Sequence, residues 1–182
     1  SIVLALITLL LAWSIGAVCK DIQTGAYVAS ISGGILTPEI LPLVAFISAA
    51  IIALATGTSY GTMGLLVPIF VGQLIFPLAE TAGIDPETTR HLALALLAAI
   101  LGGAVFGDHC SPISDTTVMS SIASGSDHLD HVRTQIPYAV TTMACAALFG
   151  YLGTTFLYPV WVGLLLGFAT IATILSVFGR RI

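Results

Sequence analysis

Charge is what this sequence has least of. Its 182 residues include five Lys and Arg and nine Asp and Glu, so charged residues make up 8% of the chain. A soluble domain carries about 25%. The formal charge of −4 and the absence of any basic run give no sign of nucleic-acid binding. Cysteine is equally sparse. Cys19, Cys110 and Cys145 sit in apolar surroundings with no CxxC pair, so neither a disulfide framework nor a zinc knuckle is expected. No charged segment precedes the first apolar run, and that run has no small-residue cleavage site, so no signal peptide is expected. Ser1 already stands inside an apolar run. The expectation is therefore that residues 1–182 are one transmembrane domain fragment, the C-terminal part of a longer chain.

What is abundant is hydrocarbon. Hydrophobic residues make up 57% of the chain, and the mean hydropathy is +1.07. At roughly 20 residues per crossing, the length leaves room for about five to seven membrane segments. The expected class is an all-α integral membrane protein, a multi-spanning helical bundle whose main partner is the lipid bilayer.

The chain reads as apolar segments separated by a few polar ones. Ser1 to Val18 is apolar and ends in Cys19-Lys20-Asp21. Thr24 to Thr37 is Gly/Ser-rich and reads as a re-entrant or interfacial connection. Leu41 to Ala55 is apolar and stops at Thr56-Gly57-Thr58-Ser59-Tyr60-Gly61-Thr62, whose two glycines and four Ser and Thr hydroxyls predict an unwound segment. Met63 to Leu78 resumes the helix, with kinks expected at Pro68 and Pro77. Glu80 to Arg90 is a polar loop in which Asp85-Pro86 should start a helix. His91 to Phe106 is apolar, Thr117 to Ala123 a short half-helix, and Gly125 to Arg133 a polar loop. Thr134 to Tyr158 and Val160 to Phe178 read as two ordinary spans. Arg133 and Arg180-Arg181 would face the cytoplasm and Glu80 to Glu87 the outside. Trp13, Tyr158 and Trp161 suit interfacial anchors.

The densest chemistry lies between Gly102 and Thr117. Asp108, His109, Ser111, Ser114, Asp115, Thr116 and Thr117 stand in an otherwise apolar segment, with Pro112 between the two aspartates. A carboxylate at bilayer depth costs about 2.5–3.5 kcal/mol on insertion scales, so it belongs beside a wet cavity, a partner or an ion. Pro112 removes a helical hydrogen bond, and irregular backbone at that depth is tolerated only inside protein or along water. Two short apolar segments interrupted by Gly/hydroxyl-rich breaks point to a secondary transporter's site.

The blocks Ala12-Trp13-Ser14-Ile15-Gly16, Ala55 to Met63, Phe106 to Thr117 and Ser120 to Ala139 together resemble the NhaC-type Na+/H+ antiporter family. The resemblance runs along most of the chain. It implies the C-terminal part of a transporter with discontinuous (broken or re-entrant) helices in a bacterial or archaeal cell membrane. It also implies exchange of Na+ for H+ without any cofactor or catalytic residue. Some relatives are thought to exchange organic acids or move amino acids, so an organic substrate on the same fold stands as the alternative. A homo-oligomer and the missing N-terminal part of the same protein are compatible partners.

Each candidate has two readings. Asp108 and Asp115 would lie about 10 Å apart on one face of an intact helix. Unwinding at Pro112 could aim both at one cavity, where facing carboxylates raise one another's proton affinity. They could equally be a structural pair bonded to freed backbone. Ser111, Ser114 and Thr116 can ligate a hard cation or cap a half-helix. Thr58 and Ser59 can form the second half of the site or simply pack helices. His109 can relay protons or rest neutral on a carbonyl. Lys20-Asp21 reads as an interfacial pair. Asp127-His128-Leu129-Asp130-His131 reads as a solvated capping loop in preference to a chelate. An intramembrane aspartyl protease is disfavoured, because Val105-Phe106-Gly107-Asp108 lacks the Gly-x-Gly-Asp pattern and both aspartates share one segment.

Overall fold

The computed structural model describes residues 37–178 and, ahead of them, Ile7, Leu10, Leu11, Ser14, Ala17, Val18, Asp21, Ile22, Gln23 and Tyr27. Trp13, Lys20, most of the Thr24–Thr37 stretch and Arg180-Arg181 fall outside the described residues. Six helices follow Thr37: α1 Leu41–Thr56, α2 Ser59–Thr81, α3 Pro86–Cys110, α4 Asp115–Ser124, α5 His128–Phe156 and α6 Val160–Phe178. No strand occurs among the described residues. α2, α3, α5 and α6 are long and apolar enough to cross a membrane, and α1 is a shorter apolar helix.

Local chemistry sets the boundaries. α1 ends at Gly57, whose φ of 67° is left-handed and whose N–H donates to the Ala53 carbonyl at 2.8 Å. Thr58 is extended, and its Oγ1 accepts from the Gly61 N–H at 3.2 Å, which starts α2. The expected unwound stretch Thr56–Thr62 is therefore corrected to two residues, Gly57 and Thr58, because the Thr58 cap carries Ser59–Thr62 into the helix. α2 passes Pro68 and Pro77 without stopping and takes a π-helical turn at Phe70–Leu74 between them.

Asp85 caps α3 as the sequence implied. Its carboxylate accepts from the Glu87 and Thr88 N–H groups at 3.0 Å each, and Pro86 stands in the first turn. The polar loop expected over Glu80–Arg90 shrinks to residues 82–85, because helix runs in from both sides. The loop expected over Gly125–Arg133 shrinks likewise. Gly125 ends α4 at φ 64°, and Asp127 caps α5 by accepting from the Leu129 N–H at 2.9 Å and the Asp130 N–H at 3.2 Å. α5 is not an ordinary span. It carries Pro137 and a π-helical segment at Ala146–Leu152.

The most extensive helix contact is α1 on α3. Ala45, Ala49 and Ala53 of α1 are fully buried. Gly103 and Gly107 of α3 lie so close to the Phe46 and Ala50 carbonyls that a Cβ would overlap them. Small residues four apart thus bring two backbones together, as in membrane helix pairs. Leu66, Leu74 and Ile75 of α2 and Leu96 and Ile100 of α3 complete this core. Phe46 and Tyr151 tie α5 to α1, with ring centroids 4.8 Å apart. α5 and α6 leave large apolar side chains such as Tyr138, Trp161 and Phe168 exposed, a surface suited to lipid.

Candidate functional site

α3 stops at Cys110 because Pro112 cannot donate, and the residue before a proline is pushed out of the helical region. Ser111 is accordingly extended at φ −77°, ψ 125°. The turn that follows is held by two long backbone bonds, from the Ser111 N–H to the Asp108 carbonyl at 3.2 Å and from the Ser114 N–H to the Ser111 carbonyl at 3.3 Å. Ser114 then caps α4, its Oγ accepting from the Thr116 N–H at 3.2 Å. The first turn of α4 is folded back onto the last turn of α3.

Asp108 is the buried group at that junction, 4% exposed. Its Oδ1 accepts from the Ser114 hydroxyl at 2.8 Å and its Oδ2 from the Thr116 hydroxyl at 2.8 Å. The two hydroxyl oxygens are themselves 2.7 Å apart. Ser111, Ser114 and Thr117 are buried around it, and the Thr117 hydroxyl reaches the Asp108 and His109 carbonyls at 3.4 and 3.3 Å. The contacts of the carboxylate among the described residues are hydroxyls and not a basic side chain.

Asp115 is exposed in the first turn of α4, and the two Asp108 oxygens accept from the Ser114 and Thr116 hydroxyls. With Ser114 as cap, Thr116 stands in the first turn where its hydroxyl reaches Asp108. Ser111 serves the turn, its Oγ accepting from the Ile113 N–H at 3.4 Å. Thr58 caps α2, and Ser59 is half-buried next to it. Their neighbour Gly57 is what reaches the site region: a Cβ built on it would lie 3.0 Å from the Ile113 carbonyl carbon, oxygen and Cγ1. The turn between α1 and α2 therefore abuts the turn between α3 and α4.

His109 is exposed, with Nδ1 2.8 Å from the Val105 carbonyl. Nδ1 then carries the hydrogen donated to that carbonyl. The ring also lines a groove of about 420 Å³ with Phe106, Gln135, Tyr138 and Thr142.

Sequence reasoning passed over His128, placed in a solvated loop. Its Nε2 lies 2.7 Å from the Pro112 carbonyl and its Nδ1 3.1 Å from the Ser121 Oγ. A signal was available in the sequence. A proline turn leaves carbonyls without helical partners, and a histidine directly after an Asp cap sits at a fixed helix start. No cluster of three metal-binding side chains occurs among the described residues.

One carboxylate with two hydroxyls and nearby carbonyls is a hard oxygen set, suited to a small hard cation. It lies in the last turn of α3, where the helix dipole favours positive charge.

A sequence profile described as the Na+/H+ antiporter family matches residues 1–154. An uncharacterized protein of Haemophilus influenzae is 42% identical over 173 residues, covering 95% of this chain and 30% of that protein. The malate-2H(+)/Na(+)-lactate antiporter of Bacillus subtilis is 38% identical over 112 residues, 61% of this chain and 21% of that protein. The Na(+)/H(+) antiporter NhaC of Alkalihalophilus pseudofirmus is 32% identical over 120 residues, 64% of this chain and 23% of that protein. The chain thus spans less than a third of the length of these relatives. No solved structure matches it.

Proposed function

This chain belongs to the Na+/H+ antiporter family, and we propose that it supplies the site at which a Na+/H+ exchanger binds its cation and its proton in turn. The antiporter relatives mark a transporter in place of an enzyme.

One observation carries the proposal. Asp108 Oδ1, Ser114 Oγ, Thr116 Oγ1 and Asp108 Oδ2 close a ring with three oxygen–oxygen contacts of 2.8, 2.7 and 2.8 Å. A contact that short between oxygens needs a proton between them. The two hydroxyls bring two protons, so the ring lacks one. It is completed either by a proton on the Asp108 carboxyl or by a cation bound to the same oxygens in its place. Both occupants draw on one negative charge, so each excludes the other. That exclusion is the elementary requirement for exchange.

The surrounding backbone supports the same reading. The turns at Gly57-Thr58 and at residues 111–114 meet, as expected of two discontinuous helices whose breaks form a transport site at membrane depth. In this reading Ser111, Thr58 and Ser59 lie at the margin of the site, and Asp115 draws cations toward it. The protein resides in the cell membrane of a bacterium or archaeon.

A second reading keeps the fold and changes the cargo. The Bacillus subtilis relative carries malate and lactate in its name. The groove beside His109 is lined by Gln135, Tyr138 and Thr142, polar side chains that suit part of an organic acid.

The test is exchange by the intact protein in vesicles under an imposed pH gradient. Na+, Li+, K+ and organic acids would each be offered, with wild type and Asp108→Asn in parallel. Na+-driven proton movement that is lost in Asp108→Asn supports the first reading. Proton movement driven only by organic acids would replace it with the second.

A further inference from the structure

We propose that His128 is a positioning residue for the cation site: its Nε2–H fixes the Pro112 carbonyl and thereby the turn that aims Ser114 and Thr116 at Asp108. This inference rests on the reading of Asp108 as the cation site.

The turn over residues 111–114 is poorly held by itself. Pro112 offers no N–H, and the two backbone bonds within the turn are 3.2 and 3.3 Å long. The His128 Nε2 contact to the Pro112 carbonyl is much shorter, at 2.7 Å, and comes from sixteen residues away. A carbonyl only accepts, so Nε2 carries the hydrogen. The other ring nitrogen reaches Ser121 of α4 at 3.1 Å, and Ser121 is 2% exposed. One imidazole thus joins the turn, α4 and α5.

The ring's own position is fixed in turn. Asp127 caps α5 directly before it, and Gly125 closes the corner from α4 at φ 64°. Loss of the ring leaves the Pro112 carbonyl without this donor and frees the turn to shift. Ser114 and Thr116, the cap and second residue after the turn, then no longer hold 2.8 Å contacts to both carboxylate oxygens at once.

The test compares His128→Gln, whose amide nitrogen can occupy the place of Nε2, with His128→Asn, which reaches only toward Ser121, and His128→Ala. Two readouts are taken on the intact protein: amide hydrogen exchange over residues 111–117, and the half-saturating Na+ concentration with maximal exchange. In His128→Ala and His128→Asn we expect faster amide exchange in that segment. We also expect half-saturation raised roughly three- to tenfold, the range given by losing about one net hydrogen bond, with maximal exchange kept. His128→Gln should stay close to wild type in both. Unchanged amide exchange in His128→Asn, or a His128→Gln as impaired as His128→Asn, would overturn the inference. If His128→Ala does not fold, the Gln and Asn pair decides alone. Normal exchange by Asp108→Asn would instead remove the cation-site reading, and the amide-exchange arm would still judge His128 by itself.

Discussion

Gly57 and Ile113 lie backbone against backbone where the turn between α1 and α2 meets the turn between α3 and α4. A Cβ on Gly57 would meet the Ile113 carbonyl carbon, oxygen and Cγ1 at 3.0 Å, and Gly57 is held at φ 67°. The contact places the start of α2 beside the Asp108 junction. Two separate demands, a left-handed backbone and a missing Cβ, therefore converge on one residue.

Gly57→Ala should destabilise the intact protein by about 1–2 kcal/mol from the backbone conformation alone, and should raise the half-saturating Na+ concentration by shifting Ile113. The double variant Gly57→Ala, Ile113→Ala should not be rescued. Two of the three close atoms belong to the Ile113 main chain, and the φ penalty remains. Thermal unfolding in detergent and vesicle transport check both. Full recovery in the double variant would mean the contact is merely side-chain crowding.

Asp108→Asn should abolish exchange while expression and membrane insertion persist, since removing a buried membrane charge does not harm insertion. Asp115→Asn should retain exchange with weakened Na+ affinity, because Asp115 is exposed and touches neither ring hydroxyl. Equal loss in both variants would support the paired-carboxylate arrangement that the sequence suggested. Transport in vesicles, normalised to membrane content, separates the outcomes.

Thr116→Val should raise half-saturating Na+ roughly three- to tenfold, the loss of about one hydrogen bond or ligand, and Thr116→Ser should not. Valine keeps the shape of threonine and removes the oxygen 2.8 Å from Asp108 Oδ2; serine keeps that oxygen. The comparison is a titration of initial exchange rate against Na+ for the three proteins. Equal behaviour of Val and Ser would show that the hydroxyl is a packing group.

At the loop end of α3, the Thr88 hydroxyl and N–H hold the Asp85 carboxyl below its ordinary range, with the Glu87 N–H adding to them. A depressed carboxylate stabilises the helix start above its ordinary titration near pH 3.9 and loses that effect as pH falls through its lowered value. The protection of the Glu87 and Thr88 amides, taken as the exchange rate relative to an unstructured peptide at the same pH, should therefore be high at neutral pH and fall on acidification. Asp85→Ala should remove that protection at every pH. Protection that does not change with pH in wild type would contradict the cap.

Sequence reading singled out the segment where α3 ends and α4 begins, but not its contacts. Asp85-Pro86 and Pro112 act through backbone chemistry carried by the residue itself, so the start of α3 and its end near Cys110 were readable. Gly57 was readable for the same reason, although the break around it is two residues long, because the Thr58 hydroxyl caps α2 at once. The orientation of Asp115 was not readable. It depends on which residue caps α4, and a shift of one residue would turn it by roughly 100° about the helix axis. The bond from His128 to the Pro112 carbonyl was hidden because it spans sixteen residues and needs the corner at Gly125. The π-helical turns at Phe70–Leu74 and Ala146–Leu152 leave no residue pattern distinct from ordinary apolar helix.

The central claim is that one proton and one Na+ compete for the ring of Asp108, Ser114 and Thr116. It is tested most directly by the half-saturating Na+ concentration of the intact protein in vesicles, measured across about pH 6 to 9. Direct competition predicts that this concentration rises as pH falls, by up to about tenfold per pH unit where the proton occupies the site, while maximal exchange at saturating Na+ changes far less. A half-saturating concentration independent of pH over the whole range would contradict the account.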